Sequence, residues 1–160
     1  MKPIYTTGDK KQEKFLRAAT KRFHFDEWKK EDIEALIRGM RETMRTANGI
    51  GLSANQIGLP WKMFVAEVPS EKGLKFYAIF NPELKKEGSA RTAFDEGCLS
   101  IPGVYGEVTR PAKVTLAGQD RRGKSLTIKA WGLLARVFQH EVDHLNGTLF
   151  VDKVKKEKNV

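Results

Sequence analysis

The chain has 160 residues, 40% of them hydrophobic, with 29 Lys and Arg against 20 Asp and Glu and a single cysteine. That length suits one domain, residues 1–160, able to bury a core without staples. No apolar run reaches the ~20 residues of a membrane span, the N-terminus lacks the apolar centre of a signal peptide, and one cysteine excludes a disulfide scaffold. A cytoplasmic, reducing setting is expected.

Residues 1–30 read as irregular, with a short helical piece around Gln12–Lys21. From Lys30 to Gly49, Ile33, Leu36, Ile37, Met40 and Met44 recur at helical spacing, and Asn48-Gly49 supplies a stop. "GIGLSANQIGLP" follows as a glycine-bearing loop. "KMFVAEVP" and "KFYAIFNP" read as strands ended by proline. "KVTLAGQD" and "KSLTIKAWG" predict a hairpin about Asp120–Gly123. Leu133, Leu134, Val137, Phe138, Val142 and Leu145 mark a last helix, ended at Asn146-Gly147. This order predicts an α+β fold, with small antiparallel or mixed sheets packed around the C-terminal helix.

The net charge of +9 is concentrated near the two ends, in "KKQEKFLRAATKR" and "VDKVKKEKNV". The simplest account is a solvated surface. Attraction to a polyanion is the sharper one, but the basic residues are not interleaved with aromatics and no nucleic-acid motif accompanies them. No specific nucleic-acid partner and no membrane partner is expected.

The last helix carries His140-Glu141-Val142-Asp143-His144, an H-E-x-x-H motif. Four-residue spacing puts both imidazoles on one face, a turn apart, as two ligands of one metal ion would be. Glu141 is then placed to act as general base on a metal-bound water. Two of the chain's three histidines lie here, in an apolar helix where unpartnered ionisable groups are costly. The third, His24 in "RFHFDEW", has no matching partner and reads as a partly buried ring. A catalytic metal commonly takes three protein ligands. Downstream of His144 only Asp152 and Glu157 offer one. Upstream, Cys98 in "FDEGCLSIP" is a soft donor that could approach from a loop. Alone it would read as a buried thiol, but beside a histidine pair lacking a third ligand the ligand reading is the better one.

Three segments together resemble the peptide deformylase family of bacterial and organellar type. They are "GIGLSANQ" (49–56), "EGCLS" (96–100) and "QHEVDHLNG" (139–147), in the family's order, and "SIPG", "RP" and "GLLARVFQHE" also fit. The resemblance implies removal of the N-formyl group from the N-terminal methionine of nascent polypeptides. It implies a divalent ion on Cys98, His140 and His144, with iron(II) expected and zinc, nickel or cobalt as alternatives. Thiolate and imidazole alone would suit zinc equally well. Glu141 would take a proton from the attacking water and deliver it to the departing amine. The Gln56 side chain and the Leu99 N–H would donate to the formyl oxygen. Ile50 and Gly51 would help hold the substrate, Leu133 and Val137 would line a pocket for the methionine side chain, and Glu96 and Arg110 would pair behind the cysteine loop.

Three departures stand out. Ser53 occupies a place where the motif usually has alanine, and Tyr105 one where some members carry a substrate-contacting arginine. The chain also ends soon after Val151, without the long helix that some members dock on the ribosome, so only a transient ribosome contact through the basic tail is expected. The rivals are an H-E-x-x-H endopeptidase, disfavoured by the upstream cysteine, and a silent RNA- or ribosome-binding module, disfavoured by the intact Gln56, Cys98, His140, Glu141 and His144.

Overall fold

The computed structural model describes residues 1–155. Its helices are α1 (Lys10–Leu16), α2 (Lys30–Thr46) and α3 (Gly132–Leu145). The strands are β1 (Gly51–Ser53), β2 (Met63–Ser70), β3 (Gly73–Lys86), β4 (Arg91–Cys98), β5 (Ile101–Pro111), β6 (Lys113–Gln119) and β7 (Ser125–Trp131). One sheet runs in the order β1-β2-β3-β6-β7, and β4-β5 form a separate two-stranded sheet. Every pairing of these strands is antiparallel, so the mixed alternative falls away.

The apolar run of β2 explains the layering. Successive side chains of a strand point to opposite faces. Phe64, Ala66 and Val68 pack with Phe138, Val142 and Leu145 of α3. Met63 and Val65 pack with Ile33, Ile37, Met40 and Met44 of α2. The strand is therefore buried on both sides. Its one charged member, Glu67, lies on the α2 side, where Arg41 and Arg45 both bond its carboxylate. A third, smaller core joins Ile101 and Val108 of the β4–β5 hairpin to Leu149 and Phe150.

Several expectations shift. The first helix begins earlier than Gln12, because Asp9 caps it by accepting from the Lys11 and Gln12 N–H groups. Leu16 is its buried anchor. Pro69 and Pro82 do not end their strands. β3 continues past Pro82 through a register shift between Phe80 and Glu83, an irregularity of the kind that admits proline in a sheet. The glycine-bearing loop contains β1 and then a 3₁₀ turn, Ala54–Ile57. His24 is exposed, and the buried ring beside it is Phe23. The β4–β5 hairpin was unforeseen, and Cys98 is the last residue of β4 rather than part of a loop.

Candidate active site

Helix α3 places His140 and His144 toward the turn between β4 and β5, where Cys98 ends its strand. The Cys98 Sγ lies 3.1 Å from His144 Nε2, which lies 3.2 Å from His140 Nε2. One donor atom from each of the three residues falls within 4.8 Å of the others. Three donors on one zinc-like ion would be about 3.3 to 3.6 Å apart, given its usual bond lengths, so the cluster fits a single cation with little movement. The ring orientation fits too. His140 Nδ1 faces Glu96 Oε1 at 2.9 Å, so Nε2 is the ring nitrogen turned to the cluster, which would bind a cation on giving up its proton. Asp152, the downstream alternative, is engaged instead by Arg17 and by the Leu149 N–H. Glu157 lies outside the described residues.

Glu96 is the anchor behind this cluster. It is buried and accepts from Arg110 Nε at 2.6 Å and Nη2 at 2.8 Å, as a bidentate pair, and from Arg136 Nη1 at 2.9 Å. Burial works to raise its pKa, but the Arg110, His140 and Arg136 hydrogen bonds hold it well below the usual carboxylate range. Arg110 also donates to Asp143 at 2.7 Å. Arg136 reaches across to the Val108 and Thr92 carbonyls, which fastens the hairpin to α3. For His140, burial works downward, but the Cys98 thiol, the Glu96 carboxylate and the Glu141 charge outweigh it and raise its pKa to about 10. An anionic setting of that kind also favours a bound cation. Burial, with the nearby His140 charge, keeps His144 well below the usual histidine range and therefore neutral, as a ligand must be.

Glu141 is buried beside the ligands, and its burial pushes the carboxyl upward, opposed by the His140 charge and by a hydrogen bond from Ser53. Its Oε2 accepts from Ser53 Oγ at 2.7 Å. The other oxygen lies against Gly51, where an added Cβ would run into Oε1 and stand 2.8 Å from Cδ. Gln56 is also buried. Its Oε1 accepts from the Ser53 N–H at 2.9 Å, which turns its amide nitrogen toward Ser100 Oγ at 3.1 Å and toward Cys98 Sγ at 3.7 Å.

Gln56, Glu96, Cys98, Arg136, His140 and Glu141 line one cavity of about 700 Å³, and His144, Ser53, Ser100 and Arg110 stand outside its lining. Ile50, Gly51, Leu99, Leu133 and Val137 line it as well. Ile50 and Leu133 are exposed at its rim, and Val137 is buried in its wall. Phe94, Val104 and Tyr105 extend the exposed apolar rim along the hairpin. Thus the cavity brings together an open ligand cluster, a buried carboxylate, an amide donor and an apolar wall, a set able to hydrolyse an amide at the end of a peptide.

Sequence reasoning missed Arg136, Ser53 and Ser100 as members of this network. Arg136 was detectable: it stands one helical turn before His140 and so shares its face. Ser53 stands at capping-box spacing before Gln56, which signals its N–H bond to Gln56 Oε1 but not its bond to Glu141, and Ser100 carries no such signal, because Gln56 is distant from it in the chain.

A family model described as Polypeptide deformylase matches residues 1–160. A peptide deformylase of Rhizobium meliloti is 48% identical over 128 residues, covering 79% of this chain and 74% of the relative. The crystal structure of peptide deformylase from Thermotoga maritima superposes with a TM-score of 0.85 at 33% identity, covering 98% of this chain and 99% of that one. That of Synechococcus elongatus, in complex with actinonin, gives 0.85 at 36% identity, covering 98% and 80%.

Proposed function

The chain belongs to the polypeptide deformylase family, metal-dependent hydrolases that remove the N-formyl group from nascent polypeptides, and from that premise we propose a role for each residue of the site. Cys98 Sγ and the Nε2 atoms of His140 and His144 hold the metal. A divalent ion there supplies a Lewis acid that polarises the formyl carbonyl and acidifies water. We propose iron(II) as the native ion, with zinc, nickel or cobalt able to replace it.

Glu141 accepts the proton of the attacking water on Oε1 and returns it to the departing amine. Burial raises its pKa above the ordinary carboxylate value, which makes it a stronger base toward the water proton. The Gln56 Nε2 and the Leu99 N–H donate to the formyl oxygen as negative charge develops on it. Loss of one such donor typically costs about 10²–10³ in rate. Ile50 and Gly51 hold the peptide backbone, while Leu133 and Val137 receive the methionine side chain. Glu96 and Arg110 keep the His140 ring in register. Residues 1–160 act as one catalytic domain in the cytoplasm, with a transient ribosome contact through the basic tail. Among the described residues no helix is long and apolar enough to cross a membrane.

The observation that carries this reading is the convergence of Cys98, His140 and His144 at the wall of the cavity that Gln56 and Glu141 also line. The test is formate release from a short formyl-methionyl peptide by anaerobically purified protein, with elemental analysis of its metal. Formate release without cleavage at internal bonds is expected. Internal cleavage without formate would instead favour the endopeptidase reading.

A further inference from the structure

The deformylase reading above gives Glu141 and Gln56 separate tasks, yet one residue touches both. Ser53 is completely buried where β1 passes into the 3₁₀ turn. Its hydroxyl lies 2.7 Å from Glu141 Oε2 and 3.0 Å from the Glu141 carbonyl oxygen. Its backbone N–H donates to Gln56 Oε1 at 2.9 Å. Among the described residues no other group hydrogen-bonds the Glu141 carboxylate.

The hydroxyl has one proton and two acceptors in reach. The carboxylate oxygen is the nearer of the two, at 2.7 Å against 3.0 Å, so it is the hydroxyl's main partner. The carbonyl belongs to α3 and is already engaged by its own helix. With Oε2 held by Ser53 and Oε1 against Gly51, the carboxylate cannot rotate freely. The backbone of the same residue fixes which end of the Gln56 amide faces the site.

Resting on that reading, we propose that Ser53 is a positioning residue that sets the Glu141 carboxylate and the Gln56 amide in one frame, holding Oε2 so that Oε1 alone meets the reacting water. The hydroxyl stands at a place where the resembling motif usually carries alanine. A hydroxyl satisfied only by the helix carbonyl would affect stability alone, whereas a positioning hydroxyl affects turnover.

Ser53→Ala removes one oxygen atom and keeps the N–H that holds Gln56. The expected result is a fall of about tenfold in kcat, the scale of a lost hydrogen bond to a charged group, with KM changed less than twofold and metal content per chain unchanged. Ser53→Thr, which keeps the hydroxyl, is expected to recover most of kcat. In a Glu141→Gln background Ser53→Ala should change the residual rate less than twofold, because residues acting through one another are not additive. A crystal structure of S53A should show the Glu141 carboxylate rotated from its parental orientation. Parental kcat in S53A, or an equal loss in both backgrounds, overturns this inference and leaves the deformylase reading standing. A parent protein that releases no formate overturns both.

Discussion

Replacing Gly51 by alanine tests the site by crowding rather than by removing chemistry. The backbone of Gly51 lies outside the left-handed region reserved for glycine, so alanine adds no backbone strain there. The added methyl would stand 2.8 Å from Glu141 Cδ and 3.0 Å from Cγ. Carbon atoms rest at about 3.5 Å or more, so the carboxylate must retreat by roughly 0.7 Å. It has little freedom to do so, because its far oxygen is held by Ser53 and the residue is only 4% exposed. Misplacement by about 1 Å can cost about 100-fold in a positioned reaction. We therefore expect Gly51→Ala to lose one to two orders of magnitude in kcat for formate release, with its metal retained and a melting temperature lowered by only a few degrees. Parental kcat in a folded, metal-loaded G51A protein would refute the placement of the general base against Gly51.

Glu96→Gln should weaken metal binding by about 10- to 100-fold, the usual cost of losing the partner behind a ligand histidine, as measured by chelator competition. It should also lower the melting temperature, because Arg110 and Arg136 lose their shared carboxylate. Cys98→Ala is expected to bind less than one-tenth of the parental metal by elemental analysis and to release no formate. Glu67 supplies the pH test. Hydrogen bonds from Arg45 first, and then Arg41, outweigh its burial and depress its carboxyl below the unperturbed 4.5. The stability it adds is thus complete above pH 4.5 and is lost as pH falls through the lower folded value. Urea midpoints should drop more steeply for the parent than for Glu67→Gln on acidification through that window, and parallel curves would remove Glu67 from the acid response.

What could be read in the sequence was whatever has a period or a fixed spacing. Helices α2 and α3 show apolar positions at helical intervals, and the two histidines one turn apart follow directly from them. The β4–β5 hairpin had no such signature. Arg91–Asp95 and Pro102–Tyr105 are exposed, so no apolar alternation marks them. What holds them is cross-strand pairing and the Arg136 anchor, which are long-range contacts. That omission put Cys98 in a loop, although its nearness to the histidines could still be inferred from the missing third ligand. Pro82 misled for the opposite reason: a local rule about strand ends was overridden by the register shift between Phe80 and Glu83 and by pairing with β6, remote in the chain, whereas β2 runs only one residue past Pro69. Small polar residues were least legible: the spacing of Ser53 and Gln56 is local, but only the folded chain brings the Ser53 hydroxyl to the Glu141 carboxylate and Ser100 to the Gln56 amide.

The central strand has a consequence for how the molecule opens. Met63–Val68 contribute alternate side chains to the cores beneath α2 and α3. Neither helix can peel away without uncovering one face of that strand, and neither core can melt while the strand stays fully protected. The amides of β2 should therefore exchange with solvent only through an opening close to global unfolding. Those at the exposed end of the β4–β5 hairpin should exchange far sooner, through openings that leave both cores intact. The catalytic cleft lies between these regimes, with Glu141 and the histidines on the slow side and the apolar rim at Phe94 and Tyr105 on the fast one.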